Sequence, residues 1–348
     1  MQTPYLPIYE LTRGNLVESI HFGAVAIADA TGRLYAWYGD PTVTTYWRST
    51  AKPFQALPFI ENGGAQHYGL TSRHIALMCA SHSGTHEHAR TAAEIQHITG
   101  TDESLLQCGV HPPYHEATAK AMEKNEQQPT PNYHNCSGKH SGMLAYARML
   151  GAPLETYLET THPVQQAILN AFAEMCGLSP AQIGIGTDGC SAPNFATPLQ
   201  NAAAAYARLC DPQDLAPQRA AACRTIVQSM TQHPDMVGGP ERFDTTLMQV
   251  GAGKILVKAG AEGFQGIGLL PGALGPGSPA LGIAAKIADG DGKIRARPPV
   301  ILEVLRQIGA LTPAQLQALS QFGPTLPVHN WRKIVVGEAR PCFTLQFA

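Results

Sequence analysis

Neither sign of charge dominates this sequence, and neither is abundant: 24 Lys and Arg stand against 26 Asp and Glu among 348 residues, for a formal net charge of -2. A chain so balanced carries no electrostatic footprint for a phosphate backbone. It also has no basic run with interleaved aromatics, so nucleic acid is not an expected partner. Long apolar runs are missing too. Residues 266–285 are uncharged, but Pro271, Pro276 and Pro279 break them among many glycines, which is loop and short-strand chemistry, and no membrane segment is expected. Residues 1–15, "MQTPYLPIYELTRGN", lack the basic start and apolar core of a secretory signal, so a cytoplasmic location is expected. The eight cysteines include no close CxxC pair, and a chain of this length needs no disulfide staples. Most are expected to be free thiols. Cys176, Cys210 and Cys223, in alanine-rich stretches, read as apolar filling.

What is present is a globular composition, with hydrophobic residues at 44% and charged residues at 14%. Apolar and polar positions alternate over residues 17–38 on both sides of "DATGR", which predicts two antiparallel strands joined by a turn. Helical patterns follow from about residue 54, over 72–80 and after "SHSG", then from 140, and at roughly 163–176, 195–210 and 214–231. Strand signals return in "KILVKAGAEG", "GIAAKIADGDGK" and the terminal "KIVVGEARPCFTLQF". No internal repeat or low-complexity linker divides the chain. The expectation is one catalytic unit over residues 1–348: a sheet lobe from about 1–50 and 240–348, a helical lobe from about 54–235, and a site in the cleft between them.

Three short motifs carry possible chemistry. In "YWRSTAKPFQALP", Ser49 and Lys52 are three positions apart, where a neutral lysine amine can take the proton of a serine hydroxyl. Pro53 disfavours helical angles at Lys52 and places it at a turn or in an irregular first helical turn. "ASHSG" offers Ser81, which also suits a helix cap. "VKAGAEG" puts Lys258 on a strand, where a lysine is more often a solvated charge. In this order the three resemble the Ser-x-x-Lys, Ser-x-polar and Lys-small-Gly triple of the penicillin-recognising serine enzymes, with His82-Ser83 in the middle motif.

A separate pair of loops carries sulfur. "HNCSGKHSG" groups Cys136, Lys139 and His140, and "TDGCSAPNF" supplies Asp188 and Cys190. Two thiolates there could hold zinc, or the two cysteines could be unrelated free thiols. His82, His86 and His88 crowd "SHSGTHEHAR" without the HExxH spacing, and a polar helix face accounts for them.

Taken together, "RSTAKPFQALPFIENGGA", "CASHSGTHEHA", "NCSGKHSGML", "DGCSAPNFATPL", "HPDMVGGPERFDT" and "VKAGAEGFQGIG" resemble the rhizobial-type asparaginase II family across nearly the whole chain. The resemblance implies an α/β (α+β) fold similar to serine beta-lactamases and serine-dependent glutaminases. It also implies hydrolysis of L-asparagine to L-aspartate and ammonia through a serine acyl-enzyme. Ser49 with Lys52 and Ser81 with Lys258 would be two serine–lysine tandems, with Ser49 attacking. The resemblance further implies zinc held by Cys136, Lys139 and Cys190, supporting the site without generating the nucleophile, with His140 and Asp188 beside it or on the substrate. Asparagine's α-carboxylate and α-ammonium call for a cation and an anion, and Arg48 and Asp188 are the candidates. The expected partners are a small-molecule substrate and a second copy of the chain in a homodimer, with no nucleic acid and no membrane. Two readings stay open beside this one: a glutaminase or broader amidase on the same machinery, and a non-catalytic, metal-stabilised ligand-binding protein.

Overall fold

The structure, a computed structural model, describes residues 3–348. Its strands in chain order are β1 (Leu6–Arg13), β2 (Leu16–Asp29), β3 (Leu34–Tyr38), β4 (Thr44–Tyr46), β5 (Gly184–Thr187), β6 (Pro193–Pro198), β7 (Ile255–Ala259), β8 (Phe264–Leu269), β9 (Leu281–Ile287), β10 (Leu326–His329), β11 (Val335–Pro341) and β12 (Gln346–Phe347). The helices are α1 (Lys52–Glu61), α2 (Gly64–Tyr68), α3 (Ser72–Met78), α4 (His86–Thr99), α5 (Glu116–Lys124), α6 (Ser137–Met149), α7 (Pro163–Cys176), α8 (Leu199–Cys210), α9 (Pro217–Gln232), α10 (Pro234–Val237), α11 (Phe243–Val250), α12 (Arg297–Gln307) and α13 (Pro313–Ala318). No helix among the described residues is long and apolar enough to cross a membrane. The fold is mixed α/β, as expected, and the chain divides into two compact units.

The first unit comprises residues 1–45, 197–211 and 246–348. Its sheet runs β10-β11-β1-β2-β9-β8-β7, with β3 added to β2 and β12 to β3. All of these pairs are antiparallel. The alternation over 17–38 produces β2 and β3 as predicted, paired from Val25–Tyr38 to Ala28–Leu34. Strands β7, β8 and β9 are buried along their whole length, so their sequences read as continuous runs rather than alternating ones. Helix α8 lies on β2, β8 and β9, and Gly282 permits the approach: a Cβ there would stand 1.8 Å from the Ala203 carbonyl oxygen. The expected helix at 195–210 starts late, at Leu199, because Pro193–Pro198 is strand β6.

The second unit comprises residues 46–196 and 212–245. Helices α1, α3, α6, α7 and α9 pack on one another, and α4 packs on α3 and α6. The α3–α6 crossing is close because residue 138 is glycine: a Cβ there would lie 2.2 Å from the Leu77 carbonyl oxygen. That proximity brings the first turn of α6, with Cys136 at its N-cap and Lys139 inside it, up to the segment that follows α3. All eight cysteines are free thiols.

Candidate active site

The Ser49 turn rests on an aromatic core. Trp47 is fully buried, 5.3 Å from Phe54 and 4.7 Å from Phe172 between ring centroids. The chain then turns at Arg48, whose φ of 52° lies in the left-handed region that a side chain makes costly, by about 1–2 kcal/mol. Two contacts hold it there. The Arg48 N–H donates to Asn194 Oδ1 at 3.0 Å, and its Nε–H donates to Asp188 Oδ1 at 2.6 Å. Asn194 is on β6 and Asp188 is in the turn of the antiparallel β5–β6 hairpin, so one hairpin grips Arg48 by both main chain and side chain.

From Arg48 a 3₁₀ turn, Arg48–Ala51, runs into α1. Lys52 is the first residue of α1 and adopts helical angles (φ -58°, ψ -40°) despite the following proline. Pro53 is tolerated because an N–H in the first helical turn has no intrahelical acceptor to lose. Ser49 is half-buried, and its hydroxyl makes no hydrogen bond among the described residues.

Lys52 is 1% exposed, and its Nζ meets three oxygens: the Ala80 carbonyl at 2.5 Å, the Ser81 hydroxyl at 2.9 Å and the Asn135 carbonyl at 3.2 Å. The structure therefore joins Lys52 to Ser81 directly, across the two motifs. Ser81 caps no helix: it follows α3, and the helix that begins at His86 is capped by Thr85, whose hydroxyl accepts from the His88 N–H. The Ser81 N–H is fixed by the Val237 carbonyl at 3.1 Å. Lys258, in the first unit, lies on β7 opposite Gly266, fully buried, and donates to the Ala259 carbonyl at 2.7 Å.

Beyond Lys52 the polar network continues through sulfur. Cys136 is held well below the usual thiol range, first by a hydrogen bond from Cys190 and then by the charges of Lys52 and Lys139, against the opposing effect of burial. The α6 N-terminus also favours an anion there. Cys190 is pushed the other way, by its bond to Cys136 and by burial, so the pair shares a proton with Cys136 the more acidic member. Lys139 Nζ donates to Cys190 Sγ at 2.9 Å. Burial disfavours its charge, but Cys190, Cys136 and Asp188 outweigh burial and hold the ammonium form above its ordinary range. Burial works against the Asp188 carboxylate, yet Lys139 and Arg48 draw it down to about 2.

This network corrects the expectation of zinc. Among the described residues no group of three or more His, Cys, Asp or Glu side chains is placed to hold a metal ion. Cys136, Lys139 and Cys190 do converge, but they bring only two such side chains, and Lys139 Nζ is spent as a hydrogen-bond donor to Cys190 Sγ. The neighbouring sulfurs and Asp188 favour the charged form of Lys139. His140 is fully buried, with Nδ1 2.6 Å from the Tyr157 hydroxyl, and burial lowers it to about 4 with Cys190 opposing. Arg48 and Asp188 are paired with each other.

Sequence reasoning missed two contributors and misplaced a pair of histidines. Asn194 lies inside the quoted "DGCSAPNF", and Asn135 lies inside "HNCSGKHSG"; Asn135 acts through its carbonyl, which no residue type announces. His82 and His88 are not a polar helix face: both are buried and stacked 4.7 Å apart.

Comparison with known proteins places these residues in context. The sequence profile of L-asparaginase II matches residues 9–341. No curated protein matches the chain. Among solved structures, the chain is similar to Mglu in its native form (14% identity over 78% of this chain and 57% of that one, TM-score 0.40). It is similar to a probable glutaminase from Bacillus subtilis complexed with 6-diazo-5-oxo-L-norleucine (12% identity, 78% of each chain, TM-score 0.35). A beta-lactamase from Mycobacterium bovis is matched at 14% identity over 82% of this chain and 95% of that one, with TM-score 0.44. The chain spans 57%, 59% and 62% of the first three solved structures it matches.

Proposed function

The chain belongs to the L-asparaginase II family, a family of hydrolases, and we propose that it hydrolyses the side-chain amide of L-asparagine to L-aspartate and ammonia through an ester on Ser49. The observation that carries this reading is the Lys52–Ser81 contact at 2.9 Å, one helical turn after a half-buried Ser49. The two serines differ in access: Ser81 is 9% exposed and tied to Lys52, whereas the Ser49 hydroxyl has no hydrogen bond to break before it meets a carbonyl.

In the proposed sequence, neutral Lys52 takes the Ser49 proton as Ser49 Oγ bonds to the amide carbon. Ser81 then gives its proton to the amide nitrogen and is re-protonated by the Lys52 ammonium, the C–N bond breaks and ammonia leaves. Water attacks the Ser49 ester by the reverse relay, releasing the carboxylic acid and restoring the serine. Lys258 keeps the role the resemblance gives it, a second lysine for proton transfer to the leaving group. The Arg48–Asp188 pair offers a cation and an anion, which suits a substrate bearing both charges. His140, fully buried, supports Tyr157 and the sulfur pair.

Ammonia release measured across L-asparagine, L-glutamine and simple primary amides tests the reading. The highest kcat/KM is expected for L-asparagine. A higher value for glutamine would move the protein to the glutaminase reading, and no release from any of them would end the catalytic account. A homodimer is the expected assembly, which light scattering on the purified protein checks.

A further inference from the structure

We infer that His111 is a positioning residue for Lys52, acting through the backbone of Asn135, whose two flanking peptides it and His134 hold. This inference rests on the proposed role of Lys52. Its Nδ1 lies 2.7 Å from the Pro112 carbonyl oxygen. A carbonyl can only accept, so Nδ1 carries the proton and Nε2 is left with its lone pair. To that lone pair the Asn135 N–H donates at 3.2 Å, and the Asn135 carbonyl in turn accepts from Lys52 Nζ at 3.2 Å. Contacts thus run from the Pro112 carbonyl through the imidazole to the peptide before Asn135, and across the Asn135 Cα to the carbonyl that meets the amine holding Ser81.

The neighbouring peptide repeats the device. The Cys136 N–H donates to His134 Nδ1 at 3.0 Å, so two consecutive N–H groups ahead of α6 are taken by imidazoles. The His111 ring is itself fixed, stacked on Tyr114 at 4.5 Å and 4.4 Å from His134 between centroids.

The consequence falls on Lys52. With two N–H groups committed to the Ala80 and Asn135 carbonyls, the third tetrahedral position of the amine points at Ser81 Oγ, whether it carries a proton or the lone pair. Without His111 the peptide before Asn135 loses its anchor, the carbonyl after it is held on the His134 side alone, and the Lys52 contact that aims the third position is loosened. His111 is only half-buried, so its replacement does not open a core cavity.

The test compares His111→Leu, which removes the acceptor, with His111→Gln, which returns one near the position of Nε2. For L-asparagine, kcat is expected to fall about 10- to 100-fold in the leucine variant, with KM within about threefold of wild type, and to recover most of that loss in the glutamine variant. Equal losses in both variants, or none in either, overturn the inference. Lys52→Met is run in parallel: if it keeps wild-type turnover, the reading of Lys52 fails. If it is inactive while His111→Leu is normal, only the role of His111 fails. Independently of activity, the ¹⁵N signals of His111, identified by their loss in His111→Gln, should report the Nδ1–H tautomer; the Nε2–H tautomer would contradict the inference outright.

Discussion

Lys52 and Lys139 both stand in the first turn of a helix in the same unit, and both are almost completely buried, yet their closest hydrogen-bond partners differ in kind. Lys52 donates to two carbonyls and a hydroxyl, all neutral, and touches the sulfur pair only through its effect on Cys136. Lys139 faces a sulfur pair that carries a negative charge and, beyond it, the Asp188 carboxylate. A lysine among neutral acceptors can lose a proton and keep all three contacts, because the hydroxyl can reverse and donate to the lone pair. A lysine among anions cannot, because its loss of charge strands them. Burial alone therefore does not mark a lysine as a base; the charge of the groups it hydrogen-bonds decides whether it suits moving protons or holding charges in place.

Removing each ammonium should separate these roles. Lys52→Met is expected to lower kcat by roughly a thousandfold or more while the melting temperature stays near wild type. Lys139→Met should do the converse: stability falls by about 3 kcal/mol or more, because breaking a buried pair leaves uncompensated charge, and calorimetry reads the loss as a drop of several degrees. If both variants show the same balance of lost activity and lost stability, the distinction collapses.

A smaller effect tests the hairpin that grips Arg48. Asn194→Ala leaves the Arg48 N–H without its acceptor at a left-handed residue one position before Ser49. Turnover is expected to drop by about tenfold, with recovery in Asn194→Asp, which keeps an oxygen in place. Failure of the aspartate to rescue would assign the loss to packing.

Acid provides a milder perturbation. His88 and His140 are each lowered to about 4 from an ordinary 6.5, chiefly by burial. The folded state prefers them neutral, so their contribution is complete above about pH 6.5 and lost as pH falls toward 4. Melting temperature followed across that window should decline downward from pH 6.5, and a flat profile to pH 4 would show that these imidazoles are not buried as described. Smallest of all, chelator dialysis should change neither melting temperature nor turnover. A fall reversed by zinc would reinstate a metal at Cys136 and Cys190.

Much of the fold was legible from periodicity. The β2–β3 hairpin and helices α1, α7 and α9 fall close to where the patterns put them, because each buries one face and exposes another. Strand β1 and the β5–β6 hairpin were not seen: β1 carries Pro7 within a mixed pattern, and "GIGT" with "PNFATP" has neither period. At the site, residue types and order pointed to Ser49, Lys52 and Ser81, but not to the direct Lys52–Ser81 bond, which depends on how the segment after α3 returns toward α1. The sulfur pair was legible as a cluster and misread as a metal site, because spacing shows which groups meet and not which of them is charged. Contacts made by main-chain groups, such as the Asn135 carbonyl, leave no trace in a sequence.

The central claim is that Ser49 carries the acyl group. Enzyme mixed with excess L-asparagine, quenched in acid during turnover, digested and weighed by mass spectrometry should show an aspartyl ester on the peptide containing Ser49, absent from Ser49→Ala. An ester on the peptide containing Ser81, or turnover persisting in Ser49→Ala, would contradict the account.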